Sequence, residues 1–480
     1  MCGLKRILLL GLILAAGLKA ADDIEVLRQQ LAEQRAMIAK LQQRVDEQAA
    51  VLDRLAAARP SPPAPASQLA AAAPDAKSVN GLRFSGDLRL RLDSQFRPGN
   101  EFASPLQKVR GQYRLRLNLD KELDQRFRFH MQLATGPLNN PLTSNQEMAG
   151  LADKHPFSIS EAWAEFRPNS KVTLRAGRTE EIFSDSMRFL WDDDVRLNGF
   201  HQTVRLPLGA NALGLTSLEL RAAGYLLTNP GVYILPASSP YVAAGYQAGQ
   251  KVRTSNLFHP GAVLRGGLGS NWTHQIVGGV EVYRNPDQIQ LASTNAGFPV
   301  LLSSVIGLAL SGPASGTGNA TTTPGGAMYT APDFHVSHLS YRLERRGVTI
   351  GGRELPAWLD FQVARNHGAR SLRDAFMASV NLGAVRQGGD FRALYQFAIK
   401  DANSMISQFT DDNLGTGSGV NIAVHALRFD LGLTRFLQWQ NLVFLQHQRR
   451  ASNPSEQFFV PLGRGANATF RYIGNLAFTF

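Results

Sequence analysis

Residues 112–136 read QYRLRLNLDKELDQRFRFHMQLATG. Tyr113, Leu115, Leu117 and Leu119 alternate with Arg114, Arg116, Asn118 and Asp120. After a break at 121–124, Phe127, Phe129, Met131 and Leu133 alternate with Arg126, Arg128, His130 and Gln132. Successive side chains of a strand point to opposite faces, so this pattern writes two strands, each with one apolar and one polar face. The same alternation runs upstream in GLRFSGDLRLRLD at 81–93, where Leu82, Phe84, Leu88, Leu90 and Leu92 share a face against Arg83, Asp87, Arg89 and Arg91.

A soluble sandwich would turn the apolar face to a second sheet. A membrane barrel would turn it to lipid and the polar face to a wet lumen. Strand length separates the two. Soluble strands average about 5–6 residues, whereas about sixteen candidate strands lie between 80 and 480, many of them about as long as a tilted span needs. The connections also alternate. Gaps at 93–110, 135–157, 179–194, 228–259, 285–333, 401–418 and 449–466 are long, those at 121–124, 168–169, 270–271, 385–388 and 433–434 are short, and 207–216 and 346–354 are moderate. Only 367–373 is a short member of the long set. Short turns on one rim and long loops on the other fit an outer-membrane barrel, and an even strand count puts both barrel ends on the short-turn rim. The expected fold is therefore an all-β, transmembrane antiparallel barrel of about 16 strands over residues 80–480. Its last strand alternates to a terminal aromatic, with Tyr472, Leu476, Phe478 and Phe480 on one face, as in the assembly signal of bacterial outer-membrane barrels.

Three segments precede the barrel. Residues 1–21 carry Lys5 and Arg6, the apolar run 7–16 and Leu18-Lys19-Ala20, a secretory signal peptide. Residues 22–58 repeat every seven, with Ile24, Leu31, Ile38, Val45 and Leu52 in one series and Leu27, Gln34, Leu41, Gln48 and Leu55 in the other. That is a short coiled coil, placed in the periplasm, with a trimer as the first expectation and a dimer as the alternative. Residues 59–79 form a Pro/Ala-rich linker. Cys2 is the one cysteine among 480 residues, so no disulfide forms within the chain. Gly and Pro, 44 and 24, are too few for a collagenous or wholly disordered chain. No run after residue 20 is long and apolar enough for a membrane helix.

The chain resembles the porins that carry an N-terminal coiled coil, relatives of the phosphate-selective porins of the bacterial outer membrane. The resemblance lies in FSGDLRLRL at 84–92, RLRLNLDKELDQRFRFHMQLATG at 114–136, ISEAWAEFRPNSKVTLRAGRTEEIF at 159–183 and FLWDDDVRLNGF at 189–200. It implies a sixteen-stranded pore in the outer membrane, often a homotrimer, delivered by the barrel-assembly machinery. The last third matches by pattern and by Phe480 rather than by motif, and lysines are sparse beside those a phosphate pore would need.

The pore-lining candidates are Arg89, Arg91, Arg114, Arg116, Arg126, Arg128, Lys171 and Arg175. Guanidinium groups stay charged at any working pH and replace part of an anion's hydration. The competing reading is that they pair with Asp87, Asp120, Glu161 and Glu165 and only hold shape. Residues 179–194, TEEIFSDSMRFLWDDD, are expected to fold inward as the constriction, with Glu180, Glu181, Asp185, Asp192, Asp193 and Asp194 against the single base Arg188. Acids facing a basic wall create a transverse field. The DDD run has a cation site as its alternative. The formal charge is +12, and about +10 of it falls in 80–480, which favours small anions modestly. No nucleophile elbow, P-loop or HExxH occurs, the ten histidines show no metal spacing, and a barrel hydrolase would need a Ser–His pair that cannot be placed. No enzyme activity, cofactor, metal or nucleic-acid partner is expected. The partners expected are the outer-membrane bilayer and small hydrophilic solutes. The alternative function is a tether whose coiled coil links an anchoring barrel to the periplasm or cell wall.

Overall fold

The computed structural model describes residues 78–79, 81–99, 105–137, 142–149, 154–185, 189–209, 211–228, 253–289, 319, 330–350, 352–411, 414, 419–450 and 468–480. The signal peptide, the coiled coil, nearly all of the linker and Arg188 lie outside them. Sixteen long strands are described. They are β1 Leu82–Arg97, β2 Leu106–Glu122, β3 Phe127–Thr135, β4 Phe157–Asn169, β5 Val172–Thr179, β6 Leu197–Pro207, β7 Leu215–Thr228 and β8 Ser255–Leu268, then β9 Trp272–Arg284, β10 His335–Ile350, β11 Arg353–Asn366, β12 Asp374–Gly383, β13 Phe391–Lys400, β14 Ile422–Gly432, β15 Leu437–Gln448 and β16 Thr469–Thr479. Two-residue pieces at Ser78–Val79 and Gln146–Glu147 add to β1 and β2.

Each long strand pairs antiparallel with the next, and β16 returns to β1 in a register running from Phe470↔Phe96 to Thr479↔Asp87. The sheet is thus closed, which leaves no strand edge unpaired in an apolar medium. The expected sixteen-stranded barrel is what forms. Seven short connections, 123–126, 170–171, 208–214, 269–271, 351–352, 384–390 and 433–436, share one rim with the start of β1 and the end of β16. Eight longer ones, of which 367–373 is short, share the other.

Burial is inverted relative to a soluble protein. Phe84, Leu90 and Leu92 are exposed while Asp93, three of whose neighbours on the strand alternate outward, is 0% exposed. The outer wall is apolar and the charges point in. Strand limits differ from the sequence expectation where polar residues continue a strand. β1 runs on through Asp93, Ser94 and Gln95 to Arg97, because Asp93 is satisfied inside by Arg110 and Arg471. The first long gap therefore shrinks to 98–105. Likewise β10 continues past a bulge between Arg345 and Val348, leaving a turn at 351–352 in place of 346–354.

The interior is not uniformly wet. A buried apolar cluster joins Phe183, Phe189, Leu190 and Trp191 from connection 180–196 with Met405, Ile406 and Phe409 from 401–421. Inward residues of the wall such as Leu257, Val263, Val277, Tyr283 and Val336 complete it. Sequence alternation alone did not announce this core, since its inward residues on β8 to β10 are as apolar as the outward ones.

Candidate functional site

The charged wall is built by alternation. With Leu88, Leu90 and Leu92 outward, Asp87, Arg89 and Arg91 must point in from β1. In register with them, β2 sets Arg114 opposite Arg89 and Arg116 opposite Asp87. Like charges placed directly opposite repel, and acids relieve it. Arg114 donates through Nε and Nη2 to Asp87 Oδ1 at 3.0 and 2.7 Å, and Arg116 donates through Nε to Asp87 Oδ2 at 2.6 Å. Arg89 is held by an amide, donating to Asn145 Oδ1 at 2.6 Å, and Arg91 donates to Asn475 Oδ1 at 2.9 Å. These four arginines line a cavity of about 630 Å3, with Trp358, Asp360 and Gln362 of β11 and Gln438 and Gln440 of β15 also on its surface.

The other four candidates lie elsewhere. Arg126 and Lys171 are corrections. Both keep the inward parity of their neighbours, but β3 begins at Phe127 and β5 at Val172, so both sit exposed in short turns, where Asp124 and Asn169 side chains accept their backbone N–H groups. Arg128 and Arg175 enclose Trp163, their guanidinium carbons 5.5 and 3.9 Å from its ring centre, and pair with Asp120 and Glu165. Ion pairing, the competing reading of the arginines, describes Arg114, Arg116, Arg128 and Arg175.

Connection 180–196 enters the barrel, and its acids divide. Asp194 accepts from Ser144 N at 3.1 Å and Ser144 Oγ at 2.9 Å, and lies 4.0 Å from Arg114 and 3.8 Å from Arg116. Burial alone would raise its carboxyl, but the Arg114, Arg116 and Arg89 guanidinium groups hold it well below the ordinary carboxylate range. Asp193 and Asp185 also border the cavity, and Asp185 accepts from Arg221 at 2.8 Å. Asp192 is buried and accepts from Asp194 N at 2.7 Å. Carboxylate oxygens of the three consecutive aspartates lie within 4.8 Å of one another, yet Asp194 already faces two guanidinium groups that compete with a cation. The expectation that the acids all face the basic wall needs correcting. Glu180 is exposed, and Glu181 turns away into the protein. Burial of Phe183, Phe189, Leu190 and Trp191 draws the first part of the connection against β7 to β10.

That dry contact contains the residues sequence reasoning missed. Glu181 Oε1 lies 2.6 Å from His259 Nδ1, and His259 Nε2 lies 2.7 Å from His338 Nε2. Trp191 Nε1 donates to Glu281 Oε1 at 2.8 Å, and Ile182 N donates to the Tyr225 hydroxyl at 2.7 Å. The available signal was His259, a polar residue on the otherwise apolar inward face of NLFHPGAVL. At the chain end, Gly86 N donates to Phe480 O at 2.8 Å, and Phe480 N donates to Gly86 O at 3.1 Å. Leu476 and Phe480 are exposed on the outer wall, where the Tyr472 hydroxyl donates to Asn441 at 2.9 Å and Phe478 pairs with Leu437.

A closed antiparallel barrel of sixteen long strands, apolar outside and charged within, defines the class of transmembrane β-barrels. More particularly, residues 104–219, from the start of β2 into β7, match a family model described as "Putative porin". No curated protein matches the chain. Among solved structures it is similar to OprB of Pseudomonas putida at high pH, with 10% identity over 84% of this chain and 94% of that one and a TM-score of 0.44. It is also similar to an anion-selective porin from Comamonas acidovorans, with 9% identity over 83% and 99% and a TM-score of 0.42. A third is a loop L8 deletion mutant of OmpT from Vibrio cholerae, with 8% identity over 83% and 99% and a TM-score of 0.40.

Proposed function

We propose that this chain is an outer-membrane porin that passes small hydrophilic solutes or ions by diffusion, with a weak preference for anions. The observation that carries the reading is the cavity inside the closed barrel, bordered by seven arginines and six aspartates. That is a surplus of one positive charge. Arg89, Arg91, Arg114 and Arg116 supply the basic wall, and the Asp193–Asp194 end of connection 180–196 supplies the opposing acids, so the solute crosses a transverse field. The chain acts as a channel rather than an enzyme. The coiled coil at 22–58 extends into the periplasm after loss of 1–21, three copies assemble, and the aromatic end at Phe478 and Phe480 is read by the barrel-assembly machinery.

The test is single-channel recording of refolded mature protein across a KCl gradient. The expected result is an ohmic conductance closing in three steps, with a reversal potential of small magnitude and anion sign. Silence from heat-modifiable, folded protein would overturn the open-pore reading.

A further inference from the structure

We propose that connection 180–196 does not narrow the lumen alone: residues 401–411 fold in beside it as a second arm, and the Thr410 hydroxyl, seated on Lys400 of β13, is the positioning group that joins the two. What the arms narrow rests on the porin reading. That they are joined rests on their contacts.

The second arm belongs to the long-loop rim, where a connection is ordinarily wet. Residues 402–410 are instead buried without a break. Backbone groups in such a stretch must find partners inside the protein. Asn319, from the connection between β9 and β10, supplies several. Its Nδ2 donates to Ala402 O and Met405 O, both at 2.7 Å, and its Oδ1 accepts from Ser407 N at 2.9 Å. Asn366 of β11 donates through Nδ2 to Asn403 O at 2.9 Å. Beyond the buried stretch, Asp411 borders the cavity together with Asp185, Phe189, Asp193 and Asp194 of the first arm.

The joint between the arms is directional. Lys400 ends β13 on its inward face, after Gln396 and Ala398, and is 0% exposed. Its ammonium donates to Thr410 Oγ1 and lies 5.3 Å from the centre of the Phe189 ring. The Thr410 hydroxyl has one proton, which goes to Phe189 O at 3.1 Å. One group thus accepts from the wall and donates to the first arm. Alongside it, Asp192 N donates to Phe409 O at 2.8 Å, and the Trp191 and Phe409 rings stack 5.5 Å apart. An ammonium is costly to hold away from water unless its charge is offset. The acids acting on Lys400 come one from each arm, Asp411 from the second and Asp192 from the first. Withdrawing either arm removes an offsetting charge, and withdrawing 401–411 removes the hydrogen-bond acceptor as well. The wall therefore favours both arms in place over either one alone.

The test is hydrogen exchange of the full-length protein in detergent micelles, read by mass spectrometry on peptides covering 189–192, 402–410 and the strand segment 257–263, with single-channel recording in parallel. Thr410→Val keeps the shape and leaves a buried ammonium and Phe189 O unpaired. It should cost about tenfold protection in both arms, spare the strand segment and raise conductance. Thr410→Ser keeps the hydroxyl and should stay close to wild type in both readouts. If Thr410→Val fails to fold, Asn319→Leu takes its place. It loosens 402–407 without touching the first arm, so protection should fall in 189–192 as well. Wild-type protection of 189–192 in whichever of these two variants folds would overturn the joint, as would a loss spread equally over the strand segment. Asp411→Asn should move the reversal potential further toward anions in a KCl gradient, and an unchanged potential would remove 401–411 as an arm of the constriction. Failure of the porin reading looks different: loss of protection in both arms of a folded protein that passes no current would leave the joint standing and take away the pore.

Discussion

Asp194 shows how a single side chain can hold a connection in place and set a charge on the cavity wall. It ties connection 180–196 to Ser144 and sets a negative charge 3.8–4.0 Å from Arg116 and Arg114. Because its carboxyl is held well below the ordinary range, its contribution is fully present above the unfolded value of about 3.9 and is lost only as pH falls further, through its folded-state value. Acidification to pH 5.5 therefore leaves this tie intact. Asp194→Asn keeps the shape and removes the charge. It should move the reversal potential further toward anions at pH 7.5 and again at pH 5.5. A reversal potential equal to that of wild type would take Asp194 out of the ion path. The triplet 192–194 was legible in the sequence as a cluster of charge. Its direction was not, because what orients it is the burial of Trp191 and Phe189, and an apolar residue in a loop carries no sign of where its partners lie.

At the scale of elements, the strands were legible wherever one face met lipid. β1 to β3 alternate without exception in their central stretches, since a charge turned outward there would cost about 2–4 kcal/mol at the bilayer midplane. Legibility failed at strand ends, where Arg126 and Lys171 keep the right parity but leave the wall. It failed again on β8 to β10, where apolar inward residues such as Leu257, Val263, Val277 and Val336 are interspersed with His259, Glu281 and His338 because that face meets the loops. A positional constraint explains one further feature that alternation could not give. Gly177 on β5 has φ of 132°, and a Cβ there would lie 2.3 Å from Ala162 O, so the strand can pass Trp163 only as glycine. Closure of the sheet depends on a clamp at the seam. Asp93 of β1 accepts from Arg471 of β16 at 2.9 and 3.0 Å and from Arg110 of β2 at 2.7 and 3.0 Å. Removing one partner of a buried ion pair costs about 3–5 kcal/mol. Asp93→Ala, which removes the carboxylate shared by Arg471 and Arg110, should therefore lower the temperature at which the folded band converts to the unfolded band on an electrophoresis gel. A conversion temperature within a degree or two of wild type would mean that the seam is held by its backbone ladder alone.

For the whole molecule, net charge and selectivity are different quantities. The chain carries +12 and residues 80–480 about +10, but ions respond to what borders the bore, where seven arginines face six aspartates. A surplus of one is small enough for a single residue to decide its sign. Arg114 and Arg116 are poor probes, because each is bound to Asp87 and faces Asp194, and reversing them would gather four carboxylates in one corner. Arg89 is the better one. It is bound to an amide, Asn145, so its replacement strips no acid of its bonded partner. Arg89→Gln brings the lining to neutrality and Arg89→Glu gives it a surplus of one negative charge. Reversal potentials in a KCl gradient should then step from weakly anionic, through near zero, to weakly cationic, and the steps should shrink as salt shortens the screening length from about 10 Å at 0.1 M to about 3 Å at 1 M. Three equal potentials would show that selectivity is set outside this cavity, in the charges of the long-loop rim, and would detach the weak anion preference from the arginines of β1 and β2.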